Sequence, residues 1–244
     1  MRGERLDEAL VRLGLAPSRE RARALILAGK VLIDASVADK PGTRVPVGAS
    51  VELLVPDHPF VSRGGVKLEG ALEAFGIDPQ GAVCADIGAS TGGFTHVLLK
   101  RGARRVFAVD VGYGQLADSL RRDPRVVPME RTNVRYLAPG AFDEPPSLVV
   151  IDVSFISVSK ILPALVPLSA PGATFVVLVK PQFEVGREKV GKGGVVRDDA
   201  LRMAAVDSVS AAARALGLVE VSRADSVLPG PKGNREVFLH LRRV

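Results

Sequence analysis

The sequence predicts an α/β chain in which a mostly parallel, doubly wound sheet follows a small α+β module. Three observations carry that reading. Short apolar runs at Ala82–Ala85, Arg105–Val111, Leu148–Val153 and Thr174–Val179 alternate with stretches of helical periodicity, as strands covered on both faces do when helices connect them. Asp86-Ile-Gly-Ala-Ser-Thr-Gly-Gly-Phe94 joins the first run to a glycine-rich turn and a helix start. Ahead of these lies a segment with another rhythm, two short helical patterns and a brief strand, closed off by a break rich in proline and glycine.

The 244 residues, 47% of them hydrophobic, suffice for one large core and a small second one. A formal net charge of +6 suits a polyanionic partner, although it also suits plain solubility. One cysteine excludes an internal disulfide framework, and three scattered histidines give no metal-ligand spacing, so no metal is expected. Neither an apolar signal core nor a run of roughly 18 apolar residues is present, and the expectation is a cytoplasmic protein without a membrane span, more readily a monomer than an oligomer.

Taken in order, Leu6, Ala9, Leu10 and Leu13 predict a first helix, and Ala22, Leu25 and Ile26 a second, with Ser18 as its N-cap and Gly29 at its end. A strand follows over Val31–Asp34. Arg19 and Arg23 share a face of the second helix and Lys30 lies just beyond it, a pattern that a solvated helix would also show. Arg5-Leu-Asp-Glu-Ala-Leu10 and Ser18-Arg-Glu-Arg-Ala-Arg through Asp34 resemble the S-four RNA-binding domain of a ribosomal protein, pseudouridine synthases and tyrosyl-tRNA synthetases. That resemblance implies that Arg5, Arg19 and Arg23 face structured RNA, read by shape and phosphate contact.

The break at residues 56–65 marks a boundary: an RNA-binding domain over 1–57, a linker over 58–65 and a larger domain over 66–244. A helix from Val66 buries Leu68, Leu72 and Phe75 and leaves Lys67 near its start, where the helix dipole disfavours a cation. In the next loop the glycines fall at Gly88, Gly92 and Gly93, not in the spacing of a dinucleotide phosphate loop. Asp110, 24 residues beyond Asp86, stands where a carboxylate takes ribose hydroxyls. The glycine pattern and the acid on the first strand favour S-adenosyl-L-methionine, which has no pyrophosphate, over NAD.

Further strands are expected at Val126–Val127, Val219–Val227 and Val237–Leu241, with a long helix over 198–216. Asp152 and Lys180 each follow a buried strand directly, at the edge where open α/β sheets hold their ligands. The stretch from Pro181 to Gly194 is basic and rich in glycine, a substrate-facing loop or an ordinary solvated one.

Asp152, Lys180, Glu236 and Lys67 together resemble the Lys-Asp-Lys-Glu tetrad of FtsJ-type ribose 2'-O-methyltransferases. With Phe60–Leu68, Asp86–Phe94, Ile151–Ser157, Val179–Glu184 and Gly233–Glu236 the chain is similar, over its full length, to the hemolysin A (TlyA) family of rRNA 2'-O-methyltransferases. The resemblance implies a Rossmann-like S-adenosylmethionine-dependent methyltransferase fold acting on cytidine of ribosomal RNA or ribosomal subunits. It also implies catalysis by Lys67, Asp152, Lys180 and Glu236. Cofactor contacts would come from Asp86, Gly88, Ser90, Thr91, Gly92, Gly93, Phe94, Asp110, Val111 and Asn133, with RNA contacts from Arg63, Arg187 and Lys189 besides the first domain.

The chemistry suits such residues. A ribose hydroxyl is a poor nucleophile at neutral pH, so Lys180 would contact it as a neutral base or as a cation beside the developing oxyanion. Cytosine C5 methylation needs a cysteine nucleophile, whereas Cys84 lies within a strand; methylation of exocyclic amines goes with prolines that Asp152-Val-Ser-Phe155 lacks. The competing readings are a non-catalytic RNA-binding assembly factor, a membrane-active hemolysin and, more remotely, a nicotinamide dehydrogenase.

Overall fold

The computed structural model describes residues 3–54, 59–230 and 232–244, with the backbone alone of Arg187. The boundary at residue 57 and the first linker residue, His58, lie outside the described residues. The chain folds as two compact units, Met1–Pro59 and Phe60–Val244.

In the first unit, α1 (Leu6–Arg12) and α2 (Arg19–Leu27) share a core with a three-stranded antiparallel sheet of order β2-β1-β3, formed by β1 (Val31–Ile33), β2 (Ser36–Ala38) and β3 (Val51–Leu53). Leu6, Leu10, Ile26 and Val31 are fully buried in it. Ser18 caps α2, its hydroxyl accepting from the N–H of Arg21 at 3.2 Å. The strand expected over Val31–Asp34 stops at Ile33, because Asp34 (φ 46°) and Ala35 (φ 63°) make the two-residue left-handed turn that a tight hairpin requires.

A buried carboxylate organises the basic side of this unit. Asp7, with no exposed surface, accepts from Arg5 through both oxygens (2.9 and 3.0 Å) and from Arg19 at 3.2 Å. The Arg5 guanidinium, with Arg19 beside it, holds the Asp7 carboxyl down to about 2.

The second unit is built on a seven-stranded sheet of order β6-β5-β4-β7-β8-β10-β9. Its strands are β4 (Val83–Ile87), β5 (Arg105–Val109), β6 (Val126–Met129), β7 (Leu148–Ile151), β8 (Thr174–Val179), β9 (Leu218–Asp225) and β10 (Val237–Arg243). The first five in chain order are parallel, whereas β10 runs antiparallel to both β8 and β9. Helices α3 (Arg63–Phe75), α4 (Gly93–Lys100) and α5 (Asp118–Arg121) belong to one face, and α6 (Leu162–Leu165) and α8 (Asp199–Arg214) to the other; α7 (Pro181–Glu184) follows β8.

Period-two alternation explains why both faces are apolar. Cys84, Val106, Val150 and Leu178 point toward Leu68, Leu72 and Leu98, while Ala85, Phe107, Val149 and Val177 share a core with Leu162, Leu165, Val206 and Val209. Cys84 is fully buried, and burial pushes its thiol up to about 12, so it behaves as a small core hydrophobe. Helix α3 begins at Arg63 rather than at Val66, which places Lys67 within it and not at its first turn; Gly76 (φ 64°) ends it.

The first unit should be acid-sensitive. Because the folded-state pKa of Asp7 lies below its ordinary 3.8, the stability it contributes is complete above about pH 4 and is lost as pH falls through about 2. Asp7→Asn should remove on the order of 1–2 kcal/mol after allowance for the partly exposed arginines, read as a lower unfolding midpoint by amide-exchange NMR of the first-unit residues.

Candidate active site

The carboxyl ends of β4, β5, β7 and β8 face one side of the sheet, and the reversed direction of β10 brings its first turn to the same edge: Val237 pairs with Val179. This topology gathers residues that are far apart in sequence. Asp110 follows β5, Asp152 follows β7, Lys180 follows β8 and Glu236 precedes β10.

The glycine-rich loop is shaped by close approaches. Gly88 has φ 86°, and a Cβ there would collide with the carbonyl oxygen of Asp152, so its absence lets the ends of β4 and β7 draw together. A Cβ at Gly93 would strike the Ser62 hydroxyl and the backbone of Gly65, where α4 meets the start of α3. Gly92 faces Leu116 and Leu120, which a Cβ there would strike, and it is not among the residues lining the two cavities described below.

Asp110 fastens this loop. Its two oxygens accept from the N–H of Ser90 (2.8 Å) and of Gly112 (2.7 Å). Asp86 fastens the helix behind it, Oδ2 accepting from both the N–H (2.8 Å) and the hydroxyl (2.6 Å) of Thr95 in the first turn of α4. The other oxygen, Oδ1, is buried without a protein partner. Burial, reinforced by Asp152 and Asp110 and opposed by Thr95, pushes the Asp86 carboxyl up to about 7.

The four expected catalytic residues line one cavity of about 650 Å³ and form two ion pairs. Nζ of Lys67 stands 2.5 Å from Oε2 of Glu236, both side chains being buried. Nζ of Lys180 stands 2.5 Å from Oδ1 of Asp152 and donates to the hydroxyl of Ser154 at 3.0 Å. The buried Lys67 cation, which lies beyond the first turn of α3, is thus met by a counter-charge.

A second cavity of about 1250 Å³ shares Gly88, Ser90, Asp152 and Gln182 with the first and is further lined by Asp110, Val111 and Asn133. Val111 is exposed there, and Asn133 uses its oxygen on the N–H of Arg135. Ser90, Thr91, Gly93 and Phe94 line the first cavity, although Phe94 is mostly core, its ring 6.2 Å from that of Phe238. The loop and strand-end residues, Gly92 apart, thus line one crevice made of two adjoining cavities.

The basic residues fare unevenly. Arg5 and Arg19 are held by Asp7, and Arg19 also meets Glu8 at 3.2 Å. Arg23 and Lys189 are exposed, Lys30 is half-buried, and Arg63 lines the 650 Å³ cavity while donating to the Pro229 carbonyl at 3.3 Å. The Arg187 side chain lies outside the described residues.

Sequence reasoning missed Ser154, Phe155, Gln182 and Phe183, all of which line both cavities. The available signal was their place just beyond two strand ends. Phe155 is 91% exposed in a left-handed conformation (φ 66°), and its ring lies 5.2 Å from Phe183. The chain's two tyrosines are exposed as well, Tyr113 beneath Arg131 at 4.1 Å and Tyr136 beneath Arg135 at 5.2 Å.

Residues 60–243 match the FtsJ-like methyltransferases and residues 4–51 match the S4 domain. The chain belongs to the FtsJ-like methyltransferase family. It is 54% identical over 242 residues to the 16S/23S rRNA (cytidine-2'-O)-methyltransferase TlyA of Mycobacterium tuberculosis, covering 99% of this chain and 90% of that one. Hemolysin A of Brachyspira hyodysenteriae is 42% identical over 97% of this chain and 98% of its own length. A solved structure from Streptococcus thermophilus, named as a hemolysin, superposes with a TM-score of 0.78 at 42% identity, covering 100% of this chain and 90% of that one. The mostly parallel seven-stranded sheet is the methyltransferase fold that the sequence predicts. Among the described residues no helix is long and apolar enough to cross a membrane, and no cluster of three or more His, Cys, Asp or Glu could hold a metal ion.

Gly88→Ala should cost at least about 1–2 kcal/mol from its left-handed backbone alone, and more from displacing Asp152. Chemical denaturation should show both Gly88→Ala and Gly92→Ala losing stability, the second adding overpacking against Leu116 and Leu120 to its own left-handed backbone (φ 91°), with only the former disturbing the Asp152–Lys180 pair in a crystal structure.

Proposed function

We propose that this chain methylates a ribose 2'-hydroxyl of ribosomal RNA, at cytidine, with S-adenosyl-L-methionine as the methyl donor. The observation that carries the reading is the pair of lysine–carboxylate contacts on one cavity, continuous with a second cavity that carries Asp110. The likeness to the TlyA methyltransferase of Mycobacterium tuberculosis, at 54% identity over nearly all of both chains, supports it.

The residues fit that donor. Buried Oδ1 of Asp86 and Oε1 of Gln182 are acceptors without a protein donor, a condition costing about 1–3 kcal/mol each unless a ligand supplies the hydrogen bond. An α-ammonium group and sugar hydroxyls are such donors. Asp86 would face the ammonium, Asp110 the ribose hydroxyls through its remaining lone pairs, and Val111 and Asn133 the adenine. When bound, S-adenosyl-L-methionine supplies a methyl group already activated by its sulfonium.

The protein's own part is then positioning and charge. Lys180 donates to Ser154 and stands in charge contact with Asp152, and a further N–H would meet the target oxygen as negative charge builds on it. Lys67 and Glu236 neutralise each other behind that site, so neither brings an uncompensated buried charge to the reaction. Exposed Phe155 offers a flat apolar surface to a nucleotide base at the crevice mouth. In the first unit, the partly exposed guanidinium groups of Arg5 and Arg19, oriented by Asp7, would meet phosphate.

Transfer of tritium from labelled donor to isolated 30S and 50S subunits and to assembled ribosomes tests the reading. Lys180→Ala should lower kcat by about 100- to 1000-fold with donor affinity little changed. Absence of transfer to every substrate from the wild-type protein would overturn the proposal.

Asp86 gives a pH signature. Its carboxyl must be ionised to pair with the ligand ammonium, and burial holds it up to about 7, so protonation competes with binding. Affinity for S-adenosyl-L-homocysteine should rise as pH increases through about 7, with a proton released on binding below that point. Calorimetry in two buffers of different ionisation enthalpy measures both, and Asp86→Asn should flatten the dependence.

A further inference from the structure

Glu184 belongs to neither the expected tetrad nor the expected ligand contacts, and it is the last residue of the four-residue helix α7. Its half-buried carboxylate reaches out of that helix to a different loop. Oε2 accepts from the hydroxyl of Ser157 at 2.6 Å and Oε1 from the N–H of Val158 at 2.9 Å. Ser157 in turn caps the short 3₁₀ turn Val158–Lys160 by accepting from the N–H of Ser159 at 3.2 Å.

The loop so held is the one that carries Asp152 and Ser154. Lys180 grips its near end through those two residues, and Glu184, four residues further along the same segment, grips its far end. The result is a closed ring of chain: from Asp152 along the loop to Ser157, across to Glu184, back through α7 to Lys180 and across again to Asp152. Between the two ties the rings of Phe155 and Phe183 face each other at 5.2 Å.

The sheet fixes only where the two strands end, since β7 and β8 are paired up to Ile151 and Val177. Beyond that point the loop contains a residue at φ 66°, so regular backbone pairing does not define its course. A carboxylate engaging both a hydroxyl and an amide is directional as well as strong, which makes it suited to setting the loop's position. Burial pushes the Glu184 carboxyl up, while Ser157, Val158 and the charge of Lys160 oppose that shift; the hydrogen bonds thus favour the form that can accept at both oxygens.

We propose that Glu184 is a positioning residue that sets the placement of Lys180 against Asp152 and Ser154 by tying the loop after β7 to the helix after β8. The proposal rests on the methyltransferase reading for its kinetic consequence, but its geometric consequence is independent of any activity. A displacement of about 1 Å at a reacting group costs about 100-fold in rate, so a modest loosening of this ring would be visible.

The test compares Glu184→Ala, Glu184→Gln and Ser157→Ala in the full chain. Methyl transfer to ribosomal subunits, binding of S-adenosyl-L-homocysteine, thermal midpoints and crystal structures are measured for each. Glu184→Ala should lower kcat by about 10- to 100-fold, with KM for RNA and ligand affinity within about threefold of wild type. In its structure, the Lys180–Asp152 contact should lengthen or the loop shift. Glu184→Gln should recover most of the rate, because its amide oxygen still accepts from Val158 and its NH₂ can donate to the Ser157 oxygen. Ser157→Ala should fall between them.

Wild-type kcat in Glu184→Ala, or an unmoved loop in its structure, would overturn the proposal. So would a rate loss that tracks the folded fraction and is equal in the Ala and Gln variants, since that describes a helix cap and nothing more. Should the wild-type protein transfer no methyl group, the functional reading fails, while the displaced loop in the Glu184→Ala structure still decides the geometry.

Discussion

The buried contact between Lys67 and Glu236 is the constraint on which the second unit turns. Two side chains 169 positions apart in sequence meet beneath the sheet edge, at 7% and 2% exposure, where either alone would be an uncompensated charge in a poorly solvated place. Removing one partner of such a pair costs about 3–5 kcal/mol, far more than the pair itself contributes, so its value lies in requiring that the folded unit hold both elements side by side. That requirement explains the direction of β10. Were this strand parallel to β8, its start would lie at the opposite edge and Glu236 could not reach Lys67.

Much of this was legible in the sequence because the signals were strong and local. Uninterrupted apolar runs ended in Asp152 and Lys180, and a charge placed directly after buried residues at a strand's carboxyl end has few structural explanations. Lys67 and Glu236 were harder. Lys67 stood out only as a cation near an expected helix start and Glu236 not at all, and it took the resemblance to a known tetrad to join them, since pairing across so long a separation leaves no periodic trace. Gly92 carries a packing role that its spacing in the loop did not reveal: its left-handed backbone lies against Leu116 and Leu120, which a Cβ there would strike. Ser154, Phe155 and Gln182 went unassigned because their importance depends on where two loops turn after leaving the sheet, and loop courses are set by tertiary contacts rather than by local pattern.

The basic side of the first unit carries a related lesson. Counted as charges, Arg5 and Arg19 look like free cations awaiting a phosphate. In the fold they are drawn to a fully buried aspartate, which lowers the local net charge while fixing two guanidinium planes. Orientation is gained at the expense of field strength, an arrangement suited to a partner recognised by its shape.

The position of β10 has a consequence for how the protein comes into being. It is made after β9, yet it lies between β8 and β9, and β9 has no other strand partner in the sheet. As the chain emerges from the ribosome in order, β4 to β8 can assemble while Lys67 still lacks its counter-charge and β9 has nowhere to pair. Only when residues 237–243 slot into the waiting gap does the sheet close, and the same event delivers Glu236. Completion of the sheet and completion of the crevice therefore depend on the same segment, because Glu236 directly precedes β10.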